Sequence, residues 1–267
     1  MIIENNAIVY FTGTGNSLKV AKDIVSRMED FQLCKVSQFR NEKEMEIKSK
    51  FLGIVFPVYY SRMPLIMDEF VRKLNISRDT YVFAAATYAG APAQALVKLD
   101  AILKYKESKL SSGFLFCMPS SNIFAFNTKI KEKQNKIFAR EEKKVKKVCE
   151  LIRKREELKP ETSKLVFDIV IDKMFIKTTD KIMDNLHMRD EKFWVNEKCN
   201  GCGLCEKICP VSNIEFDLNK PTWKHKCEQC AACIEWCPKQ AIQWGNKTLK
   251  RSRYRNPNVK ISELIDD

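Results

Sequence analysis

The chain has 267 residues, 45% of them hydrophobic, and a formal net charge of +13. That length and composition give a globular chain with one substantial core and a smaller satellite. No uninterrupted apolar run approaches the roughly 20 residues of a membrane helix, and MIIENN lacks the basic region of a secretory signal, so we expect a cytoplasmic protein with no membrane partner.

The first element is the apolar run Ala7 to Phe11, which enters the turn FTGTGNS (Phe11 to Ser17) and then SLKVAKDIVSRM, whose apolar spacing is helical. Leu18 stands where a dinucleotide fingerprint places its third glycine, and no G-K-[ST] follows, so neither a dinucleotide loop nor a triphosphate P-loop is present. Backbone N–H groups at a helix N-terminus, the hydroxyls of Thr12, Thr14 and Ser17, and the Asn16 amide suit one phosphate monoester. Taken alone, the loop is also readable as a plain strand-to-helix connection.

Further strands are expected near Phe31 to Lys35, at Phe51 to Phe56 running into PVYYSRMP, at Tyr81 to Ala86 running into TYAGAP, and at Gly113 to Met118 running into PSSN. Helices are expected between them, at Met63 to Leu74 and Pro92 to Tyr105. The alternation predicts an α/β domain with a doubly wound, five-stranded parallel sheet, whose ligands sit beyond the carboxyl ends of the strands. Cys34 and Cys117 fall in apolar strand-like runs and, with Cys149, are expected to pack as small hydrophobes.

Residues 129 to 159 carry 13 basic and 6 acidic residues and read as a long basic helix ending before Pro160. Its lysines are either a solvated face or a docking surface for an acidic redox partner; no nucleic-acid motif accompanies them. The run Leu165 to Ile176 is apolar except for a stripe containing Asp168 and Asp172, which suits a helix buried on most of its circumference, in a core or at a homodimer interface.

Eight of the eleven cysteines fall between Cys199 and Cys237. CNGCGLCEKICP and CEQCAACIEWCP each read C-x2-C-x2-C-x3-C-P, and a shift of 28 residues also aligns Val195 with Trp223, Ile214 with Ile242 and Phe216 with Trp244. At this spacing three cysteines wrap one iron–sulfur cubane and the fourth serves the other half's cubane. The ligand sets are then Cys199, Cys202, Cys205 and Cys237 for one 4Fe–4S cluster, and Cys227, Cys230, Cys233 and Cys209 for the other. Zinc sites usually present paired C-x2-C arms, without a third cysteine or a C-P ending. Different residues between the ligands, Gly201 and Gly203 against Gln229 and Ala231, predict different cluster potentials. The tail, Lys247 to Pro257, is basic and is expected to lie over the cluster region.

The cysteine block, about residues 192 to 245, closely resembles the bacterial two-cluster ferredoxins. The N-terminal half resembles flavodoxins in T-G-T-G-N-S and in the turns after its third and fourth strands. That resemblance implies that Thr12, Thr14, Gly15, Asn16 and Ser17 hold the phosphate of FMN. It also places Pro57, Tyr59, Tyr60 and Met63 on one side of the flavin ring and Thr87, Tyr88, Ala89 and Gly90 on the other. Many flavodoxins keep a glycine in the turn that faces the ring; Tyr60 to Met63 contain none, so a positive φ there is expected to be resisted and the one-electron-reduced flavin less stabilised.

The whole chain resembles a flavodoxin–ferredoxin fusion family of anaerobes through Ala86 to Tyr88, Met118 to Asn122, Trp223 to Cys227 and Arg253 to Pro257. The expected organisation is a flavodoxin-like FMN domain over 1–159, a helical linker over 160–190, an α+β ferredoxin-like domain with two 4Fe–4S clusters over 191–246, and a basic tail over 247–267. The resemblance implies an electron-transfer protein that passes electrons between FMN and the clusters and on to redox partner proteins, acidic ones by charge. No general base or nucleophile presents itself, and His187 and His225 read as surface groups. Three alternatives stay open: a flavin-dependent reductase of a small molecule, with a pocket lined by Tyr59, Tyr88 and Asn122; a reductive activator of one acceptor protein; and a scaffold with an empty flavin site.

Overall fold

The computed structural model describes residues 1–128, 130–163, 174, 177–217 and 220–265. The apolar run Leu165 to Ile176, with its dimer-interface reading, lies outside the described residues except for Met174. Two compact units make up the chain. One comprises Met1–Thr12, Asn16–Met118 and Lys131–Ile176; the other comprises Gly13–Gly15, Pro119–Ile130 and Lys177–Asp267.

The first unit is built on strands β2 (Ala7–Tyr10), β3 (Gln32–Lys35), β5 (Phe51–Pro57), β7 (Tyr81–Tyr88) and β8 (Ser112–Cys117). All their pairings are parallel, in the spatial order β3-β2-β5-β7-β8. Counted among themselves these strands lie 2-1-3-4-5, the flavodoxin-like doubly wound order. β7 is buried from Tyr81 to Thr87 without alternation, as a parallel strand covered on both faces should be.

Two- and three-residue strands, β1 (Ile2–Ile3), β4 (Met45–Ile47) and β6 (Leu74–Ile76), form a second small parallel sheet that sequence reading did not find. Segments this short carry no usable period-2 pattern. β6 also claims Leu74, so the helix expected over Met63 to Leu74 is α2, Leu65–Arg72, entered through Pro64. The helix expected from Pro92 is α3, Ala95–Tyr105, because the chain turns first at Ala93, whose φ is +43°.

Helix α1, Asn16–Val25, buries Leu18, Val20, Ala21 and Ile24. Helix α4, Lys131–Arg153, buries Ile137, Glu141, Val145, Val148 and Ile152, one stripe at helical spacing, and leaves Lys133, Lys136, Lys143, Lys146 and Lys147 exposed. It stops earlier than the expected residue 159. Arg155 turns left-handed at φ +53°, and the bonds from Glu156 N–H to the Leu151 carbonyl and from Arg155 N–H to that of Ile152 close it as a Schellman motif.

In the second unit the 28-residue repeat is visible in the backbone. β9 (Phe193–Val195) pairs with β12 (Ile242–Trp244), and β10 (Ile214–Asp217) pairs with β11 (Lys220–Trp223), both antiparallel. Short helices Leu204–Lys207 and Ala232–Trp236 occupy equivalent places. Left-handed residues recur at the same offset: Gly201 with Gln229, Gly203 with Ala231, and Ser212 with Gln240. The core gathers Ile123, Phe193, Ile214, Ile234 and Ile242, with Phe193 stacked on Trp223 at 5.1 Å. The tail packs into this unit: Arg251 donates to the Ile123 carbonyl, Tyr254 N–H donates to Glu235 Oε2, and Tyr254 and Asn256 are buried.

Candidate functional site

In the first unit, the ends of β2, β5 and β7 bring the expected loop residues together. Ser17, in the first turn of α1, is fully buried, and its hydroxyl lies 2.8 Å from that of Thr87 at the end of β7. Val58 N–H donates to the Thr87 carbonyl, and Phe11 meets the Tyr59 ring edge-on at 6.3 Å. Asn16 is buried and Thr12 is partly exposed. Pro57, Tyr59, Tyr60 and Tyr88 are half-buried, Ala89 and Gly90 are exposed, and Met63 is buried. Burial, with Cys117 and Glu161 nearby, pushes the Tyr88 hydroxyl above its ordinary pKa.

The turn after β5 corrects an expectation. Tyr59 and Arg62 exchange two backbone hydrogen bonds of 2.9 and 3.0 Å around Tyr60 and Ser61, whose φ values are +49° and +64°. This is the geometry of a two-residue type I′ turn, normally held by glycine or asparagine. Positive φ is therefore adopted here by non-glycine residues, and the expectation of a less stabilised reduced flavin loses its premise. Lys98 Nζ donates to the Ser61 carbonyl at 3.2 Å. A second correction concerns Cys117, which is exposed at the end of β8 rather than packed; Cys34 is half-buried and Cys149 fully so.

Gly13, Thr14 and Gly15 belong to the second unit. Gly13 accepts a hydrogen bond from the Trp236 indole at 3.1 Å, and Thr14 accepts one from Asn256 N–H at 2.9 Å. A Cβ on Gly13 would lie 1.9 Å from the Cys230 carbonyl oxygen, so the close approach requires glycine. Gly15 has φ +96°.

The eight cysteines frame two cavities. One is lined by Cys199, Cys202, Cys205 and Cys237, together with Phe216, Pro221 and Ile242. The other is lined by Cys209, Cys227, Cys230 and Cys233, together with Phe193 and Trp223. Each set takes three cysteines from one motif and one from the other. Among the described residues no three His, Cys, Asp or Glu converge as one bound ion requires.

Backbone amides point at the sulfurs: Asn213 N–H at Cys209 Sγ, 3.2 Å; Gln229 N–H at Cys227 Sγ, 3.2 Å; Ala241 N–H at Cys237 Sγ, 3.3 Å. The first and third are the same bond repeated 28 residues apart. Burial pushes the Cys205 and Cys227 thiols up to about 12, and those of Cys230 and Cys233 well up. Thiolates here need a positive centre inside the ring of sulfurs, which iron supplies. Trp223 Nε1, Gln229 Nε2, and Arg253 Nε and Nη1 are buried donors with no partner among the described residues. Amides aimed at sulfur, unpartnered donors and four-cysteine cavities fit 4Fe–4S cubanes.

Sequence reading missed the scaffold of the second cavity. Asp190, 1% exposed, accepts from Asn213 Nδ2 at 2.9 Å and from His225 N–H at 3.0 Å, and its other oxygen pairs with His225 Nδ1 at 2.7 Å. His187 Nδ1 lies 3.1 Å from the Cys227 carbonyl. Both histidines thus hold backbone and loops. Glu235 is fully buried between Cys233 and Cys237, and burial pushes its carboxyl up to about 8. None of these residues belongs to a spacing pattern that sequence alone exposes.

A family model described as a 4Fe-4S binding domain matches residues 192–215. Among solved structures, a flavodoxin of Streptococcus pneumoniae TIGR4 is 12% identical, covering 55% of this chain and 99% of its own, with a TM-score of 0.34. An azoreductase of Bacillus anthracis str. Sterne is 9% identical, covering 54% and 98%, with a TM-score of 0.37. No curated protein matches the chain. The fold assignment rests on the strand order, independently of these likenesses. Strand order and the matched domain define a flavodoxin-like α/β unit joined in one chain to a ferredoxin-type 4Fe–4S binding region. Among the described residues no helix is long and apolar enough to cross a membrane.

Proposed function

We propose that the chain is a cytoplasmic electron-transfer protein that holds FMN in its parallel-sheet unit and two 4Fe–4S clusters in its cysteine-rich unit, and exchanges electrons with acidic redox proteins. The observation that supports this most is the crossing of the cysteine sets, three from one motif and one from the other around each cavity. Bound FMN supplies one- and two-electron chemistry and each cubane one-electron chemistry, so one chain can join two-electron and one-electron partners.

The residues divide the work. Thr12, Asn16 and Ser17 supply donors at the N-terminus of α1 for the terminal phosphate. When Thr87 donates to Ser17, the Ser17 proton is left to face that phosphate. Tyr59 and Tyr60 on one loop and Thr87, Tyr88, Ala89 and Gly90 on the other bracket the ring. The exposed lysines of α4 offer the docking charge.

Anaerobic purification with iron, sulfide and flavin quantified, followed by a redox titration, tests the reading. We expect one FMN and two clusters per chain, with two distinguishable cluster potentials. Protein that carries iron as single ions, or no flavin after anaerobic reconstitution, would overturn it.

One observation favours a second reading, a flavin-dependent reductase. A cavity of about 640 Å³ is lined by Tyr88, Gly90, Cys117, Arg140, Lys144 and Glu161. Saturable turnover of a small molecule supports that reading, whereas salt-sensitive reduction of an acidic protein acceptor supports electron transfer.

A further inference from the structure

Arg253 lies in the tail, outside both cysteine motifs. Its Nη2 donates to the Ile242 carbonyl at 2.9 Å and to Gln243 Oε1 at 3.2 Å. Its Nε and Nη1 are buried with no partner among the described residues. A guanidinium carries five N–H donors and keeps its charge, and leaving buried charged donors unpaired costs more than leaving neutral ones so.

Four groups lie near enough to act on this charge. They are Glu235, Cys237, Cys233 and Arg255. Cys237 lines one cavity and Cys233 the other, and Ile242, whose carbonyl holds the guanidinium, also lines the first. Glu235 does not consume the open donors. One of its oxygens takes Tyr254 N–H and the other is itself buried with no partner among the described residues. Arg253 is thus held through the Ile242 carbonyl beside the first cavity, with a cysteine of each set within electrostatic reach of its charge.

We propose that Arg253 is the shared cation of the two clusters: its free N–H donors face the sulfur anions of the cubanes, and its charge raises both reduction potentials. The inference rests on the two-cluster reading above. Each cubane with four thiolates gains negative charge on reduction, and a fixed cation in a buried setting stabilises the reduced state. Arg253 acts here as a positioning and tuning residue and undergoes no chemistry of its own.

The test is a potentiometric titration, followed by EPR, of the full anaerobic holoprotein, with iron and sulfide quantified in parallel. Arg253→Gln is expected to shift both cluster potentials to more negative values, and Arg253→Lys, which keeps the charge, to restore much of the shift. Lys250→Gln serves as a control for loss of a tail cation and leaves both potentials in place. Unchanged potentials in a fully loaded R253Q, or a shift confined to one cluster, would overturn the proposal while leaving the two-cluster reading intact. Wild-type protein without two clusters' worth of iron and sulfide defeats that reading, and the proposal with it. Should R253Q fail to assemble, wild-type protein labelled with 15N-arginine decides the matter by pulsed EPR. A 15N coupling to the reduced clusters that disappears in R253K is expected, and its absence from the wild type overturns the inference.

Discussion

Ser17 and Thr87 join hydroxyl to hydroxyl at 2.8 Å inside the core of the parallel-sheet unit. The bond ties the first turn of α1 to the end of β7, so the loop expected to hold a phosphate and a loop expected to flank the ring are held as one piece. Ser17→Ala strands the Thr87 hydroxyl in a dry site. A loss of about 1–3 kcal/mol is expected in urea unfolding, with reduced flavin content in the purified protein. Unfolding curves that superimpose on wild type would remove this bond from the site's framework.

The repeat in the cysteine-rich unit makes a paired backbone test. Gly203 and Ala231 occupy equivalent left-handed positions, at φ +70° and +64°. A Cβ on Gly203 meets no atom within 4 Å, so Gly203→Ala changes backbone strain alone and is expected to destabilise by roughly 1–2 kcal/mol. Ala231→Gly relieves a similar strain but removes a buried methyl, and should stay within about 1 kcal/mol of wild type. Equal losses in both variants, measured by thermal unfolding of the anaerobic holoprotein, would show that the left-handed backbone is not what separates them.

Glu141 sets a pH dependence for the sheet unit. Burial on the inner face of α4 and the nearby Asp23 charge push its carboxyl up to about 7, against the pull of Lys19, and its Oε1 is buried with no partner among the described residues. The folded value exceeds the ordinary carboxylate value of 4.5, so the folded protein binds the proton more tightly than the unfolded chain. The stability from the neutral form is complete below pH 4.5 and is lost as the pH rises through about 7. Glu141→Gln keeps that form at every pH. Wild type and variant should match at about pH 4, below the unfolded value, and the variant should be the more stable at about pH 8; urea unfolding at the two values decides.

The crossed cysteine sets predict a non-local effect. Cys237 lies in the second motif but lines the cavity of Cys199, Cys202 and Cys205. Cys237→Ser should therefore alter the same EPR signal as Cys205→Ser and leave the signal altered by Cys233→Ser intact. A match between C237S and C233S instead would assign the fourth ligand to its own motif.

Much of the arrangement is local in origin and was legible in the chain. The alternation of apolar runs and helical spacing marks the parallel strands, because a doubly wound sheet buries β2, β5, β7 and β8 almost continuously and each helix on one stripe, while the edge strand β3 stays partly exposed. The duplicated C-x2-C-x2-C-x3-C-P spacing marks the cysteine loops, because three sulfurs on one short turn can surround a single centre. Element ends were less legible. α4 stops at Arg153 through a left-handed Arg155, and β6 takes Leu74 from the preceding helix, both outcomes of packing rather than propensity.

The remainder belongs to tertiary structure. Residue type argues against positive φ at Tyr60 and Ser61, yet a two-bond turn anchored by Tyr59, Arg62 and Lys98 holds them there. Nothing local places Arg253 within reach of Cys233 and Cys237, or fixes Asp190 against Asn213 and His225. The sequence by itself determined which chemistry the chain can hold, because metal and phosphate chemistry depend on residue type at close spacing. Only the folded chain decided which distant charges and donors surround that chemistry, because buried electrostatics depend on distance in space.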